Sequence, residues 1–148
     1  MKYSEISTGR VFVLRLEAGE VLHETVEEFS RIHKIRAATL TAVGGIGPGS
    51  KLTVGPKLPV EEGVIPLIHE LNAPHELTAS GTLFEDEDGN PMMHMHGSAG
   101  REGNAVTGCL RTGVIAWLVL EVVITELVGN VPIRKKDPGT GMKILNID

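Results

Sequence analysis

Three soft side chains stand close together in the second half of the chain: His94, His96 one residue on, and Cys109 thirteen residues further. Cys109 is the only cysteine, so it has no internal disulfide partner and its thiol is free for a metal. Alternate side chains share a face in extended backbone. His94 and His96 then point the same way, with Met92, while Met93 and Met95 take the other face. A turn at Arg101-Glu102-Gly103-Asn104 folds the chain back, and with its centre between Glu102 and Gly103, Cys109 falls opposite His96. A one-residue slip of that register would turn the thiol to the other face. Two imidazoles and a thiolate suit zinc, which takes four ligands, so three from the protein leave one position for water or substrate. H-x-H is a short pattern, and strand histidines are commonly plain hydrogen-bonded residues. The spacing alone leaves both a metal site and an ordinary hairpin open.

An open zinc polarises a carbonyl or lowers the pKa of bound water toward about 7, which serves hydrolysis or decarboxylation of a small oxo-acid. Such chemistry calls for a proton-transfer partner. Glu121 is the candidate, because it interrupts the apolar run Trp117–Ile124, where burial would raise a carboxylate's pKa. The alternative for Glu121 is a buried structural carboxylate paired with an arginine at a contact between chains. Arg111 shares the face of Cys109, falls opposite His94 in the same register, and would bind a substrate carboxylate or neutralise Glu121. His23 and His33 flank a helical apolar stripe and read as surface residues, and His69 and His75 as loop or strand residues.

The elements that must position these groups are legible from periodicity. Arg10–Leu16 is rich in β-formers and ends at Ala18-Gly19. From Glu20 to about Ile35, Leu22, Val26, Phe29 and Ile32 recur at helical spacing. Strands are expected over 37–43, 51–54, 65–71, 75–84, 91–97, 105–111 and 114–127. Gly44-Gly45-Ile46-Gly47-Pro48-Gly49 reads as a tight turn or bulge, since it lacks the Gly-Lys-Ser/Thr ending of a phosphate loop. Residues 55–63 read as a mobile surface loop. Asp86-Glu-Asp-Gly-Asn90 reads as a hairpin turn rather than a calcium loop, for want of flanking helices and a bidentate glutamate. Lys143–Asp148 adds an edge strand or trails over the surface. The expected fold is α+β: one domain over residues 1–148, mainly antiparallel sheet with one principal helix packed on a face.

Composition narrows the function. The 148 residues suffice for one core without disulfides or a structural metal. A net charge of −5 and 3% aromatic residues argue against autonomous binding to nucleic acid by an electrostatic footprint or base stacking. Arg134-Lys135-Lys136 reads as a solvated turn before Asp137-Pro138-Gly139, with a phosphate site as the alternative. No apolar run reaches the roughly 18 residues of a membrane span and the first residues lack a signal-peptide layout, so the expected location is cytoplasmic.

Several segments together resemble the PPC ("plants and prokaryotes conserved") domain family, in its stand-alone prokaryotic form. They are Leu14-Arg-Leu-Glu-Ala-Gly-Glu20, Val43-Gly-Gly-Ile-Gly47, His75-Glu-Leu-Thr-Ala-Ser-Gly81, Asp88-Gly-Asn-Pro-Met-Met-His-Met-His96, Gly108-Cys-Leu110 and Glu121-Val-Val-Ile-Thr-Glu-Leu127. The resemblance spans residues 9–127 and leaves 128–148 as a C-terminal extension. It implies an antiparallel sheet with a flanking helix, a homotrimer, and distant structural kinship with acetolactate decarboxylase, whose zinc is held by an H-x-H pair and a third histidine. Prokaryotic members commonly carry histidine where this chain has Cys109, so the resemblance implies a His94/His96/Cys109 zinc site with altered ligand charge. Three functions follow as alternatives: a metal-dependent enzyme on a small anionic oxo-acid or ester, a DNA-binding or regulatory protein, and a metabolite-sensing scaffold without turnover. Against DNA binding, the chain lacks the Arg-Gly-Arg-Pro AT-hook.

Overall fold

The computed structural model describes residues 1–58 and 64–147. Its elements, in chain order, are β1 (Ser7–Leu16), α1 (Leu22–Ile32), β2 (Ala37–Ile46), β3 (Lys51–Pro56), β4 (Pro66–Glu70), β5 (His75–Glu85), β6 (Pro91–Arg101), β7 (Asn104–Cys109), β8 (Ala116–Val128), β9 (Ile133–Lys136) and β10 (Lys143–Asn146). The first eight strands form one sheet in the order β1-β8-β2-β5-β6-β7-β3-β4, with every neighbouring pair antiparallel. The fold is α+β, as expected. The surface loop expected over 55–63 lies largely outside the described residues.

Alternation divides the sheet into two unlike faces. Leu16, Leu40, Leu77, Leu83, Met93, Met95, Leu120, Val122 and Ile124 are buried on the inner face, with Leu22 and Val26 of α1 in the same core. Removal of this apolar surface from water is the main force holding helix to sheet. The outer face carries Thr39, Thr41, Thr78, Ser80, His94, His96 and Thr107, together with exposed Val11, Val13 and Val43. Threonine and valine suit a pleated surface with one side open, because β-branched side chains favour extended backbone.

The helix is shorter than its periodicity predicts. Val21 is held extended by a bridge to Ile115, which delays the start. Lys34 takes φ of 56°, and the N–H groups of Lys34 and Ile35 close on the carbonyls of Arg31 and Ser30, which ends it. Ile32, expected on the buried stripe, lies in this last turn and is exposed.

The glycine cluster holds a bulge and a turn, as expected, but the strand before it runs further than its expected end at Val43. β2 continues through Gly44 and Gly45, and the turn begins only at Gly47. Opposite them β8 bulges: Gly44 pairs with Leu120 but Ile46 pairs with Ala116, so β8 carries the extra residues, and Leu118 adopts φ of 59°. A β-carbon on Gly44 would press on the Val119 carbonyl and stand 2.9 Å from Leu120 Cα, so only glycine admits this bulge.

β9 and β10 form a separate two-stranded sheet rather than an edge of the main one. Arg134-Lys135-Lys136 is therefore strand, not a solvated turn. Lys135 and Lys136 are exposed, whereas Arg134 is buried, because the hairpin lays that side of β9 against β5. Asp86 anchors the hairpin: its carboxylate accepts from Lys143 Nζ at 2.6 Å and from the backbone N–H groups of Asp88 and Asn90 at 2.9 Å each.

Candidate metal centre

β6 is the strand that displays the two histidines. It pairs with β5 along its whole length and with β7 over its second half, so His94 and His96 stand on adjacent outward positions in the middle of the sheet. Gly81 of β5 fixes the spacing on one side, since a β-carbon there would meet the His94 carbonyl oxygen and lie 2.5 Å from Met95 Cα. Beyond the end of β7, the Met93 N–H has no strand partner from that side and instead donates to Glu27 of α1 at 2.8 Å. The helix thereby holds the backbone next to His94 as well as covering the core.

The hairpin turn falls at Glu102-Gly103, with φ of 53° and 80°, and sets Arg101 opposite Asn104 and His96 opposite Cys109. The structure thus brings together all three residues that the spacing singled out. One donor atom from each lies within 4.8 Å of the others. His94 Nε2 and His96 Nε2 are 3.2 Å apart, with the rings edge to face at 72°. A tetrahedral zinc with Zn–N bonds of about 2.0–2.1 Å separates two nitrogens by roughly 3.3 Å, so the imidazole pair fits without rearrangement. The histidines are exposed while Cys109 is buried. With the sulfur below two accessible imidazoles, an ion held by the three would face solvent.

Burial pushes the His94 pKa down, and the charges of Arg111, Arg134 and His96 push it further the same way. The neutral imidazole, the form that ligates metal, is thereby favoured. Arg111 follows β7 rather than extending it, and its Nε–H donates to Cys109 Sγ at 3.1 Å. It therefore reaches the site through the sulfur and not from a strand position across from His94.

Glu121 lies elsewhere. It is exposed on the outer face of β8, with Arg15 of β1 and Val43 of β2 as cross-strand neighbours. Three strand spacings separate β8 from β6, about 14 Å of sheet width. The burial expected from its apolar surroundings is not found, and neither Arg111 nor any other arginine pairs with it among the described residues.

Thr82, which sequence reasoning passed over, and Arg134, read there within a solvated turn or a phosphate site, complete the surroundings. Thr82 is the cross-strand partner of His94, and Arg134 of β9 donates from its terminal nitrogen to Thr82 Oγ1 at 3.3 Å. On the other side, Thr41, Thr78, Ser80, Ser98 and Thr107 line an open groove of about 410 Å³ that ends at His96. Threonine on alternate strand positions was visible in the sequence, and the two hairpin turns put β5 and β7 beside β6, but that β2 with Thr41 would lie next to β5 was not.

Known proteins of the same fold include a metal-containing protein of Archaeoglobus fulgidus, 28% identical, with 99% of both chains covered and a TM-score of 0.82. A plant- and prokaryote-conserved (PPC) protein of Pyrococcus horikoshii is 25% identical over 99% of this chain and 97% of its own, with a TM-score of 0.84. A protein of Bacteroides thetaiotaomicron whose name proposes DNA binding shares the fold at 16% identity, 96% and 97% coverage and a TM-score of 0.78. Among curated proteins none matches the chain. Residues 3–128 match the Plants and Prokaryotes Conserved (PCC) domain, and the chain belongs to that family.

Proposed function

We propose that this PCC protein works as a homotrimer in which His94, His96 and Cys109 of each chain hold one zinc ion that acts on a small oxo-acid or ester. The observation that carries the reading is the convergence of two imidazole nitrogens and one thiol within 4.8 Å on the open face of the sheet. When bound there, zinc supplies Lewis-acid polarisation of a carbonyl or a water of lowered pKa. The chain's own contribution is to fix the donors: β6 presents both imidazoles, β7 brings the sulfur beneath them, and Arg111 donates to that sulfur. The metal-containing relative in Archaeoglobus fulgidus supports the assignment of metal to this fold. The trimer is supported by Val11, Val13, Val43, Leu118 and Val119, apolar side chains left exposed on neighbouring strands β1, β8 and β2 around Arg15 and Glu121.

A specific observation favours a second reading, metabolite sensing without turnover. The proton-transfer candidate Glu121 stands about three strands from the triad, so a single chain offers no carboxylate to the site from that position. DNA binding has less support, since the chain carries a net charge of −5. Elemental analysis of the untagged protein tests the metal assignment. The expected result is one zinc per chain, lost in the His94→Ala/Cys109→Ala double variant; full zinc content in that variant would overturn it. Turnover of pyruvate-type oxo-acids or simple esters by the zinc-loaded protein separates catalysis from sensing.

A further inference from the structure

Among the described residues Arg134 is the one buried cation, with 7% of its surface exposed. Burial of a guanidinium is costly unless its donors and its charge are both met. Here neither is. Its Nε is buried without a hydrogen-bond partner, its terminal nitrogen meets only the neutral Thr82 hydroxyl, and its remaining support is the Phe84 ring at 5.8 Å. Arg134 and Arg111 make no ion pair among the described residues.

The two guanidiniums converge on one place. Arg111 is fixed on Cys109 Sγ, and Arg134 is fixed on Thr82, the residue paired with His94 across the strands. They also lie within electrostatic reach of each other: burial first, and then the charge of Arg111, push the Arg134 pKa below its usual value. An ion bound by two neutral imidazoles and one thiolate keeps net positive charge, and both arginines add to it. No carboxylate is among the charges that act on His94 or Arg134, although the protein as a whole is acidic.

We propose that Arg111 and Arg134 form the anion-binding arm of the His94/His96/Cys109 site, taking a small carboxylate or phosphate whose oxygens lie between the two guanidiniums and the metal position. This rests on the metal reading above and narrows its ligand to an oxyanion held from two sides. Guanidinium is suited to the task, because its planar fork gives two parallel donors to a carboxylate or phosphate. Arg134 comes from β9, beyond the part of the chain that matches the PCC domain, so the C-terminal hairpin supplies a ligand-selecting residue as well as covering Phe84.

Isothermal titration of the zinc-loaded full chain with pyruvate and, separately, inorganic phosphate tests this, with zinc content measured on every sample. The expected result is saturable binding of at least one of the two at one per chain, weakened tenfold or more in Arg134→Met and in Arg111→Met while zinc stays at one per chain. Arg134→Lys, which keeps the charge without the fork, should fall between. Thermal shift of the zinc-free protein with the same anions provides a second readout, expected to rise in the wild type and not in Arg134→Met. Absence of zinc with arginine-dependent anion binding intact would overturn the metal reading alone. Zinc at full content with no anion binding, or binding equal in wild type and both methionine variants, would overturn the anion arm.

Discussion

In the proposed zinc site Cys109 would set the charge, because a thiolate brings to the ion a negative charge that a third imidazole would not. It is also the donor that water reaches least, since the two histidines are exposed and Cys109 is buried. Cys109→Ser keeps the size and removes the soft donor. Zinc affinity in that variant should fall at least tenfold in a chelator competition, and unchanged affinity would remove Cys109 from the ligand set. Histidine alternation on β6 was legible from sequence because it depends only on local backbone geometry. Arg134 was not, because its contact with Thr82 joins residues 52 positions apart. Glu121 misled for a different reason. An apolar run in a strand implies two buried faces only when both sides of the sheet are covered, and in the single chain the outer side of β8 is open.

Among the elements, the antiparallel hairpin of β6 and β7 does most to assemble the site, and its register followed from one turn. The C-terminal hairpin of β9 and β10 was less legible. A lysine such as Lys143 reads as solvated until a buried acceptor is found, and here that acceptor is Asp86. Burial alone would raise the Asp86 pKa, but Lys143 and the N–H groups of Asn90 and Asp88 outweigh it and hold the carboxyl at about 2. With the ordinary value at 3.8 and the folded value lower, the anchoring is fully present above pH 4 and lost as pH falls through about 2. Amide exchange should therefore show β9 and β10 losing protection across that window before the main sheet does. In Lys143→Ala the loss should begin at higher pH; an unchanged midpoint would show that the ion pair does not anchor the hairpin.

On the scale of the whole molecule, the sheet has one face sealed by the core and α1 and one face that carries both the triad and an apolar area. Val13 is 74% exposed and Leu118 63% exposed, far more than a strand surface facing only water would favour. Sedimentation equilibrium should give three chains per particle at micromolar concentration, and Val13→Lys with Val43→Lys should shift it toward one; a wild-type monomer would contradict the trimer. The central claim is the composition of the metal centre, and zinc K-edge X-ray absorption of the purified protein reads it most directly. The account predicts one sulfur at about 2.3 Å and two imidazole nitrogens at about 2.0–2.1 Å around each zinc. A zinc shell without sulfur, or one built from oxygen alone, would contradict it.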